Sequence, residues 1–565
     1  MKQKPLPIGV DDFEKLITTG YYFVDKTMLI RELIDKKGDV NLFTRPRRFG
    51  KSLNISMLRY FFEDGRDMDG KKTDFSHLFE GLKIASCGET YLQHLGMYPV
   101  ITLTLKSAKR RTFRSAYTLL AREIAGEFDR HRFILSDVRL DEKKERYLSL
   151  MREEADIDRV CDSLRFLSEC LHTYYGKKVI ILIDEYDVPL ESGYLNGYYD
   201  EMVDFIRSLF ESALKTNPHL EFSVLTGCLR ISKESIFTGM NNLKIISILN
   251  EKYDECFGFT GEEVVQLCED YGFPQKLETI RKWYNGYLFG NTNVYNPWSL
   301  IQFVDDLIEN EDRFPTSYWA NTSSNSIVRS LIDRADRDVK DEIESLIAGG
   351  TIEKPVHEDI TYDEVYASMD NLWNFMFFTG YFRKVGERMV GRQWYITLKI
   401  PNAEVRYIFE TKILSWFDEQ IKKRDQTTLF HAFLSQDAET VRNEIEDMLI
   451  QTISFYDAYE SFYHGFLAGI LYGIDSYVVK SNREGGTGRT DLFIRPSSRR
   501  KTAYVVEFKV AKTYRELTGR AEEALAQINE KKYDRELIDD GYESVVCYGI
   551  AFFGKNCEVR ISNEY

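Results

Sequence analysis

Short apolar runs alternate with amphipathic stretches along the chain up to about residue 300. The runs at 38–44, 98–105, 179–183 and 220–227 have the length of strands, and the stretches between them have helical spacing. Near-continuous apolar runs are typical of strands that are buried on both faces of a sheet. The alternation therefore predicts an α/β domain with a parallel sheet over residues 1–300.

The pattern changes twice after that domain. Over residues 301–450 the apolar positions follow mostly helical spacing, and a helix at 371–380 precedes a strand-like stretch at 392–400. A helix followed by a hairpin resembles a winged helix, although core packing alone also produces this order. Residues 451–565 read as helix, three strands, helix and strand pair, which predicts a separate α/β domain.

A phosphate-binding loop is indicated between the strand at 38–44 and the helix at 52–62. A P-loop has the pattern G-x-x-x-x-G-K-[ST], and here Arg45 stands at the first glycine. Backbone N–H groups at the helix start would cradle the phosphates of ATP, Lys51 would reach the β- and γ-phosphates, and Ser52 would hold Mg²⁺. The residues expected to contact ATP here are Arg47, Arg48, Phe49, Gly50, Lys51 and Ser52.

Two further strands end in polar residues that suit the same site. The run at 179–183 ends in Asp184, expected to hold Mg²⁺, and Glu185, expected to orient the attacking water. The strand at 220–227 supplies Thr226 as a sensor of the γ-phosphate, and Arg230 after it would stabilise phosphate charge. Each has a simpler interpretation, a core strand ending in an acidic loop or a structural ion pair. The stretch 98–105 supplies the strand that some P-loop ATPases insert between the first two elements.

The last block carries a second set of charged residues. Glu507 and Lys509 lie on one face of an apolar strand by its period of two, and Asp491 begins the preceding strand. An acid followed on the next strand by E-x-K is the core of the PD-(D/E)XK nucleases, in which Asp491 and Glu507 would bind Mg²⁺ and Lys509 would act on the water. Gln527 is a candidate accessory residue, with a surface role the simpler expectation. A Glu507–Lys509 salt bridge in an inactive relic of the fold is the alternative.

Charge and composition narrow the classes of function. The chain of 565 residues has a net charge of -15, which argues against a protein that coats nucleic acid over its whole surface. Between Tyr477 and Arg515, however, ten basic residues and three acids give a local charge of +7. No apolar run reaches the length of a membrane span, no signal peptide is evident, and the eight cysteines form no CxxC pair. We therefore expect a reduced, cytoplasmic protein without a membrane partner.

The motifs together resemble a large bacterial family of AAA-ATPase-like proteins. The resemblance is carried by Thr44-Arg-Pro-Arg-Arg-Phe-Gly-Lys-Ser52, in which Arg45 is the normal form for that family. It implies a C-terminal PD-(D/E)XK nuclease-like domain and so covers essentially the whole chain. The other strings that carry it are Leu6-Pro-Ile-Gly-Val-Asp-Asp-Phe13, Tyr21-Tyr-Phe-Val-Asp-Lys-Thr27, Thr226-Gly-Cys-Leu-Arg-Ile-Ser-Lys233 and Tyr295-Asn-Pro-Trp-Ser299.

The sequence thus predicts a P-loop ATPase sheet, a helical and winged-helix-like middle, and a restriction-endonuclease-like α/β domain. The expected function is ATP hydrolysis coupled to a magnesium-dependent nuclease acting on nucleic acid, with DNA favoured. The competing hypothesis is an ATP-dependent signalling or scaffold protein whose nuclease-like domain binds nucleic acid or a partner without cleavage. The oligomeric state is left open, a homo-oligomer included.

Overall fold

A computed structural model describes residues 3–562, except 68, 230–235, 238–239, 320–336, 359, 361, 366, 412–424, 451–459, 472, 475 and 486–487. The chain forms two compact units. Unit one comprises Met1–Asn325 and Ile352–Ile408, and unit two comprises Ser326–Thr351 and Phe409–Tyr565. The stretch 301–450, expected from the sequence to form one block, is divided between the two units.

The main sheet of unit one is parallel and has five strands. In spatial order these are β2, β3, β4, β1 and β5, with every neighbouring pair parallel. The strands are β1 (Val40–Thr44), β2 (Val100–Thr104), β3 (Val179–Asp184), β4 (Leu220–Gly227) and β5 (Leu243–Ile246). The strand predicted at 98–105 comes between β1 and β3 in the chain, but it lies at the edge of the sheet beside β3. In space, β4 separates β1 from β3.

The register of this sheet brings its polar strand ends to one edge. Thr44 at the end of β1 pairs with Gly227 at the end of β4, and Thr104 of β2 pairs with Asp184 of β3. Every residue of β1 and β3 is buried, as their apolar sequences predict for central strands. Because parallel strands end at the same edge, the loops that follow β1, β3 and β4 meet there.

Two small antiparallel sheets contain the other strands found in the described residues of unit one. One has the order β6, β8, β7, with β6 (Phe259–Thr260), β7 (Tyr287–Phe289) and β8 (Thr292–Tyr295). The other has the order β10, β11, β9, with β9 (Ile352–Pro355), β10 (Arg383–Val390) and β11 (Gln393–Lys399). The hairpin of β10 and β11 follows a helix, the order that the sequence predicts.

Unit two contains a mixed sheet of five strands in chain order. Its neighbours are antiparallel except β14 and β15, which are parallel because two helices cross between them. The strands are β12 (Tyr477–Gly485), β13 (Gly488–Pro496), β14 (Ala503–Val510), β15 (Val545–Phe553) and β16 (Asn556–Ser562). The order of the strands is the one that the sequence predicts for this region, but two helices, Leu517–Lys531 and Tyr533–Asp539, lie where the sequence predicts one.

The helices of the described residues cover the sheets. In unit one, α3, α5, α8 and α10 pack against the parallel sheet. Its helices are α1 (Phe13–Thr18), α2 (Met28–Lys36), α3 (Lys51–Phe62), α4 (Glu89–Leu92), α5 (Phe113–Arg130), α6 (Lys144–Met151), α7 (Ile157–Cys161), α8 (Ser163–Tyr175), α9 (Val188–Asn196), α10 (Tyr199–Leu214), α11 (Gly261–Tyr271), α12 (Leu277–Tyr284) and α13 (Pro297–Glu309).

The remaining helices belong to the end of unit one and to unit two. They are α14 (Arg337–Ile347), α15 (Tyr362–Val365), α16 (Met369–Phe378), α17 (Thr427–Ser435), α18 (Ala438–Ile450), α19 (Glu460–Leu471), α20 (Leu517–Lys531) and α21 (Tyr533–Asp539). Short 3₁₀ turns occur at Ser76–Phe79, Lys83–Ser86, Lys106–Ala108, Arg132–Ser136, Val138–Lys143, Pro274–Lys276 and Tyr514–Glu516. Among the helices in the described part of the chain, none combines the length and the apolar character that crossing a membrane requires.

Candidate nucleotide and nuclease sites

The phosphate-binding loop connects the end of β1 at Thr44 to the start of α3 at Lys51. Its backbone turns through the left-handed region at Arg48 (φ 71°) and Gly50 (φ 81°). A glycine takes this conformation freely, whereas Arg48 does so at a small energetic cost. The loop therefore turns sharply enough to point the first N–H groups of α3 at the carboxyl edge of the sheet.

Arg45 lies beneath the loop and is fully buried. Its guanidinium donates to the carbonyls of Thr44 (2.9 Å) and Ile246 (2.9 Å) and, at 3.4 Å, to that of Tyr253. It also lies 5.1 Å from the ring centre of Phe257. Burial lowers the pKa of Arg45 to about 10, so the side chain stays charged near neutral pH. Arg45, which replaces the P-loop glycine, thus holds the loop from below and does not reach out to a phosphate.

Lys51 is buried under the same loop. Its ammonium donates to the carbonyls of Arg45 and Pro46, both at 3.0 Å, and lies 3.6 Å from the sulfur of Cys228. The lysine therefore ties the start of the loop to its own helix. Its position at the carboxyl edge of the sheet is the one from which a P-loop lysine reaches phosphates.

The hydroxyls of Ser52 and Thr226 converge on Asp184. Ser52 donates to Oδ2 of Asp184 at 2.5 Å, and Thr226 donates to Oδ1 of the same carboxylate. Ser52 lies in the first turn of α3, and Asp184 and Thr226 lie at the carboxyl ends of β3 and β4. A serine hydroxyl beside an aspartate carboxylate is a set of hard oxygen ligands that fits Mg²⁺.

Glu185 follows Asp184 in a left-handed backbone conformation (φ 52°) and is half-buried. Its neighbour Tyr186 donates its backbone N–H to the carbonyl of Thr226 at 3.0 Å, which fixes this turn to β4. Holding a non-glycine residue in that conformation costs free energy, and such residues cluster at functional sites. The turn presents Glu185 next to the Asp184 carboxylate at the edge of the sheet.

The side chains of Arg47, Arg48 and Phe49 make contacts away from the loop. Arg47 forms an ion pair with Glu191 at 2.6 Å, and Arg48 stacks on the ring of Trp298 at 4.2 Å. Phe49 is buried, with its ring 5.0 Å from that of Tyr287 and 5.1 Å from that of Phe289. Their backbone groups are consequently the atoms left to contact a nucleotide. Arg230 lies outside the described residues.

Asp187 is a buried acid at this edge that the sequence analysis missed. Its Oδ2 accepts the backbone N–H groups of Cys228 (2.8 Å) and Leu229 (3.1 Å), so it fixes the chain after β4. Burial raises the pKa of Asp187 to about 6, while the charge of Lys51 acts in the opposite direction. Its position three residues after Asp184 was the available signal, because a turn after a buried strand often returns a side chain to the same edge.

The second site lies where β13 and β14 pair in unit two. Leu492 pairs with Val506, so Asp491 and Glu507 are the next residues along the two antiparallel strands. The backbone N–H of Asp491 donates to Oε2 of Glu507 at 3.3 Å, and the N–H of Phe508 donates to Oδ2 of Asp491 at 2.9 Å. The structure therefore brings the two carboxylates together.

Glu507 is almost fully buried and has polar neighbours on its own face. Lys509 lies 3.8 Å from its Oε1, and Gln527 donates to the same oxygen. Gln527 thus contacts the site, contrary to the surface role that was the simpler expectation. Tyr533 was missed from the sequence; burial raises its pKa, and the charges of Glu507 and Asp491 add to the effect.

Gly549 allows α20 to reach this site. It pairs with Glu507 in the parallel register of β14 and β15, and a Cβ there would collide with the carbonyl oxygen of Ala521 in α20. Only glycine lets the helix pack this closely on the sheet. The close packing puts Gln527, two turns further along α20, over the carboxylate of Glu507.

The donor set fits one divalent metal. Mg²⁺ in proteins is commonly bound by one or two carboxylates and completes its shell with water and substrate oxygens. Asp491 and Glu507 supply two carboxylates, each already oriented by a main-chain or amide donor. In the part of the chain that the structure describes, no group of three His, Cys, Asp or Glu side chains comes together as a metal site.

The basic stretch around this site is divided by the fold. Arg495 forms ion pairs with Glu536 (2.6 Å) and Asp540 (2.8 Å), which neutralise its charge. The exposed basic residues at 499–501 lie in the turn between β13 and β14, and β13 ends five residues, or roughly 17 Å, beyond Asp491. Lys509, Lys512 and Arg515 follow Glu507 directly. The local charge of +7 is therefore only partly placed at the carboxylates.

Comparisons with known proteins match both regions. Residues 7–237 match the family described as a predicted AAA-ATPase, and residues 458–561 match the PD-(D/E)XK nuclease superfamily. A protein of Azotobacter chroococcum mcd 1, described as an uncharacterized protein in the vnfD 5′ region, is 27% identical over 557 residues. The aligned part is 94% of this chain and 93% of that protein. An AAA-ATPase-like domain and a PD-(D/E)XK nuclease-like domain are thus present in one chain.

Proposed function

We propose that this chain binds and hydrolyses ATP in unit one and cleaves DNA with a magnesium ion in unit two. The observation that carries the proposal is the contact between Asp491 and Glu507, with Lys509 at 3.8 Å, within the region similar to the PD-(D/E)XK nucleases. An acid opposite an E-x-K strand provides metal ligands and a cation at one point. In this proposal, ATP controls the access of DNA to the nuclease site.

The residues of unit two have distinct roles in this proposal. Asp491 and Glu507 hold the metal, which supplies Lewis-acid polarisation of the scissile phosphate when bound. Lys509, which lies on the same strand face as Glu507, orients the attacking water as an ammonium or takes a proton from it as the neutral amine. Gln527 and the N–H of Phe508 hold the two carboxylates in place. The two carboxylates can then bind the metal without rearrangement.

The residues of unit one bind the nucleotide. Lys51 offers the ammonium that neutralises phosphate charge, and Ser52 with Asp184 offers oxygen ligands for the accompanying Mg²⁺. Thr226 orients Asp184 through its hydroxyl. Glu185, beside this carboxylate, orients the water that attacks the γ-phosphate. Hydrolysis is supported by the similarity of residues 7–237 to the predicted AAA-ATPases and by the position of Glu185.

The direct experiment is a cleavage assay with Glu507→Gln. Purified full-length chain is incubated with single- and double-stranded DNA and RNA, with Mg²⁺ or with a chelator. Wild-type protein should cleave DNA only with the metal, and Glu507→Gln should lose about 10³-fold or more of the rate, since metal ligation contributes several kcal/mol. Glu522→Gln, an exposed acid on α20, is the matched control and should cleave like the wild type.

A second candidate function has one specific observation in its favour. Glu507 already receives hydrogen bonds from Gln527 and Asp491 and lies near Lys509, so its charge is compensated within the protein. A domain of this kind can bind nucleic acid, or a partner protein in a signalling or scaffold role, without cutting. DNA binding by the wild type with no cleavage under Mg²⁺ or Mn²⁺ would support this alternative and contradict the nuclease.

A further inference from the structure

One segment of unit one has a charge opposite to that of the whole chain. Between Glu89 and Glu123 the sequence contains no acidic residue, in a protein with 90 acids and a net charge of -15. Five basic residues are clustered in the middle of this segment. They are Lys106, Lys109, Arg110, Arg111 and Arg114, which we call the basic loop.

The basic loop presents its cations to solvent. All five side chains are exposed, and none forms an ion pair with an acid among the described residues. Exposed cations in an acidic protein usually find acidic neighbours, as Arg122 does with Glu153 further along α5. A cluster without such neighbours carries an uncompensated positive field that attracts a polyanion.

The loop lies at the carboxyl edge of the parallel sheet. It follows β2, and the backbone N–H of Leu105 donates to the carbonyl of Asp184 at 3.0 Å. The basic loop is therefore adjacent to the strand that ends in the nucleotide-site acids. The Lys177–Lys178 pair, by contrast, precedes β3 and lies at the opposite edge.

The backbone of the loop is held in place while its side chains are exposed. Ser192 donates its hydroxyl to the carbonyl of Arg110 at 2.9 Å and accepts the N–H of Arg110 at 3.1 Å. Tyr198 donates to the same carbonyl at 2.6 Å. Ser192 and Tyr198 are themselves buried. Arg110 thus projects from a fixed point of the main chain, and Arg114 projects from the first turn of α5.

An open depression of about 460 Å³ lies between these side chains. Its lining includes Arg110, Arg114, Thr112 and Ser115, which combine guanidinium groups with hydroxyls at the start of α5. Arginine forks and hydroxyls near a helix start are the groups that most often contact nucleic-acid phosphates.

We infer that the basic loop of unit one binds the phosphate backbone of a nucleic acid. This goes beyond the proposed function, which places the nucleic acid only at the carboxylates of unit two. A nucleic acid suits the loop better than an acidic peptide, because a polynucleotide presents phosphates in a continuous series to the five exposed cations, and arginine pairs with phosphate through two hydrogen bonds. The contact is independent of base sequence, as phosphate contacts are.

The position of the loop links it to the nucleotide site through α9. Ser192, which holds Arg110, and Glu191, which pairs with Arg47 of the phosphate-binding loop, are neighbours on that helix. The helix begins at Val188, just after Asp184 and Glu185. Three contacts, from Arg110 to Ser192, along α9 to Glu191, and from Glu191 to Arg47, thus join the basic loop to the ATP site. The rate of ATP hydrolysis is therefore a second measurement that can report a ligand on the loop.

The test measures binding of fluorescently labelled DNA and RNA to the full chain carrying Glu507→Gln, so that cleavage does not interfere. The variant Arg110→Ala/Arg111→Ala/Arg114→Ala removes three cations from the loop. We expect at least about tenfold weaker binding at about 0.1 M salt, and a plot of log Kd against log salt that is shallower by about 2 to 3. ATP affinity should be unchanged, which also reports that unit one is folded.

Two further variants keep the result decisive. Lys144→Ala/Arg152→Ala/Lys178→Ala removes the same charge from exposed sites elsewhere in unit one, and it should bind nucleic acid like its parent. The charge-preserving Arg110→Lys/Arg111→Lys/Arg114→Lys should retain the salt slope. Equal loss of affinity in both alanine variants would show a net-charge effect and overturn the inference.

The outcome also separates this inference from the proposed function. Nucleic-acid binding that is unchanged in the Arg110/Arg111/Arg114 alanine variant overturns the inference alone and leaves the loop to an acidic protein partner. A chain that binds no nucleic acid overturns both. When the three alanine substitutions are instead made in a chain that keeps Glu507, cleavage that persists at saturating DNA supports the nuclease independently of the loop.

Discussion

The candidate nucleotide site of unit one and the candidate nuclease site of unit two use the main chain in opposite ways. In the nucleotide site, the buried cations Arg45 and Lys51 donate to carbonyls of the phosphate-binding loop and its neighbours. In the nuclease site, the carboxylates of Asp491 and Glu507 accept backbone N–H groups. Each buried charge therefore meets the backbone dipole of opposite sign, as burial requires.

The difference has a consequence for ligand binding. A phosphate competes with two loop carbonyls for Lys51, so nucleotide binding exchanges hydrogen bonds within the loop. A metal meets two carboxylates that are already side by side and oriented by fixed N–H groups. We expect the nucleotide site to respond to its ligand by a change in the loop, and the nuclease site to bind its metal with little rearrangement.

The largest effect is expected at the nuclease site. Asp491→Asn keeps the shape of the side chain and its hydrogen bond from Phe508, but it weakens metal binding by removing a charge. DNA cleavage at saturating Mg²⁺ should fall by about 10³-fold, because metal ligation supplies several kcal/mol to the transition state. Rates are measured in single turnover with labelled DNA, and ATP affinity is the control for folding. A variant that cleaves within about threefold of the wild type would remove Asp491 from the site.

The next effect concerns stability and separates Arg45 from a phosphate-binding role. Arg45→Met fills similar space but leaves buried carbonyls without their donors, at a cost of about 2 to 4 kcal/mol. The free energy of unfolding of unit one, measured by denaturant titration, should fall by that amount, with a lower midpoint concentration. Arg111 is exposed and forms no ion pair among the described residues, so Arg111→Met should change the free energy of unfolding by less than about 0.5 kcal/mol. Equal midpoints for Arg45→Met and the wild type would contradict the structural role.

A smaller effect is expected from the lysine of the loop. Lys51→Ala removes the ammonium that faces phosphate and should weaken ATP binding by about 100-fold, or roughly 2.7 kcal/mol. Titration with a fluorescent ATP analogue measures it, with the exposed Lys71→Ala as the matched control. DNA cleavage in the absence of ATP should be unaffected, since the nuclease residues belong to another unit. An ATP affinity of Lys51→Ala equal to that of the wild type would show that this loop does not bind the phosphates of ATP.

The smallest effect is a dependence of stability on pH at the nucleotide site. Burial raises the pKa of Asp187 in the folded protein to about 6. The protonated side chain therefore contributes to the free energy of unfolding at low pH, and this contribution is lost as the pH rises from the unfolded pKa through 6. The free energy of unfolding of the wild type relative to Asp187→Asn should therefore fall by about 2 kcal/mol between about pH 4.5 and 7. Urea unfolding at several pH values measures it. A difference in free energy of unfolding that stays constant or rises with pH would contradict the raised pKa of Asp187.

The sequence predicts the framework of both sites because periodicity decides it. The apolar runs that end in Asp184 and Thr226 are the central strands, and a period of two puts Glu507 and Lys509 on one face. The pairing of Asp491 with Glu507 follows from a short connection between two strands. These inferences rest on local spacing, which a sequence contains.

The rest depends on packing that no local pattern encodes. The inward turn of Arg45 requires the carbonyls of Ile246 and Tyr253, some 200 residues away in the chain. The contact of Gln527 with Glu507 requires the close packing of α20 on Gly549. The basic loop does have a signal in the sequence, since no acidic residue occurs between Glu89 and Glu123.

The central claim is that the ATP site controls the nuclease site within one chain. The most direct measurement is the rate of Mg²⁺-dependent DNA cleavage with and without ATP, for the wild type and for Lys51→Ala. We predict that ATP changes the wild-type rate by about tenfold or more, and that Lys51→Ala cleaves at the ATP-free rate under both conditions. A wild-type rate that is the same with and without ATP, or a Lys51→Ala variant that responds to ATP like the wild type, would contradict the account.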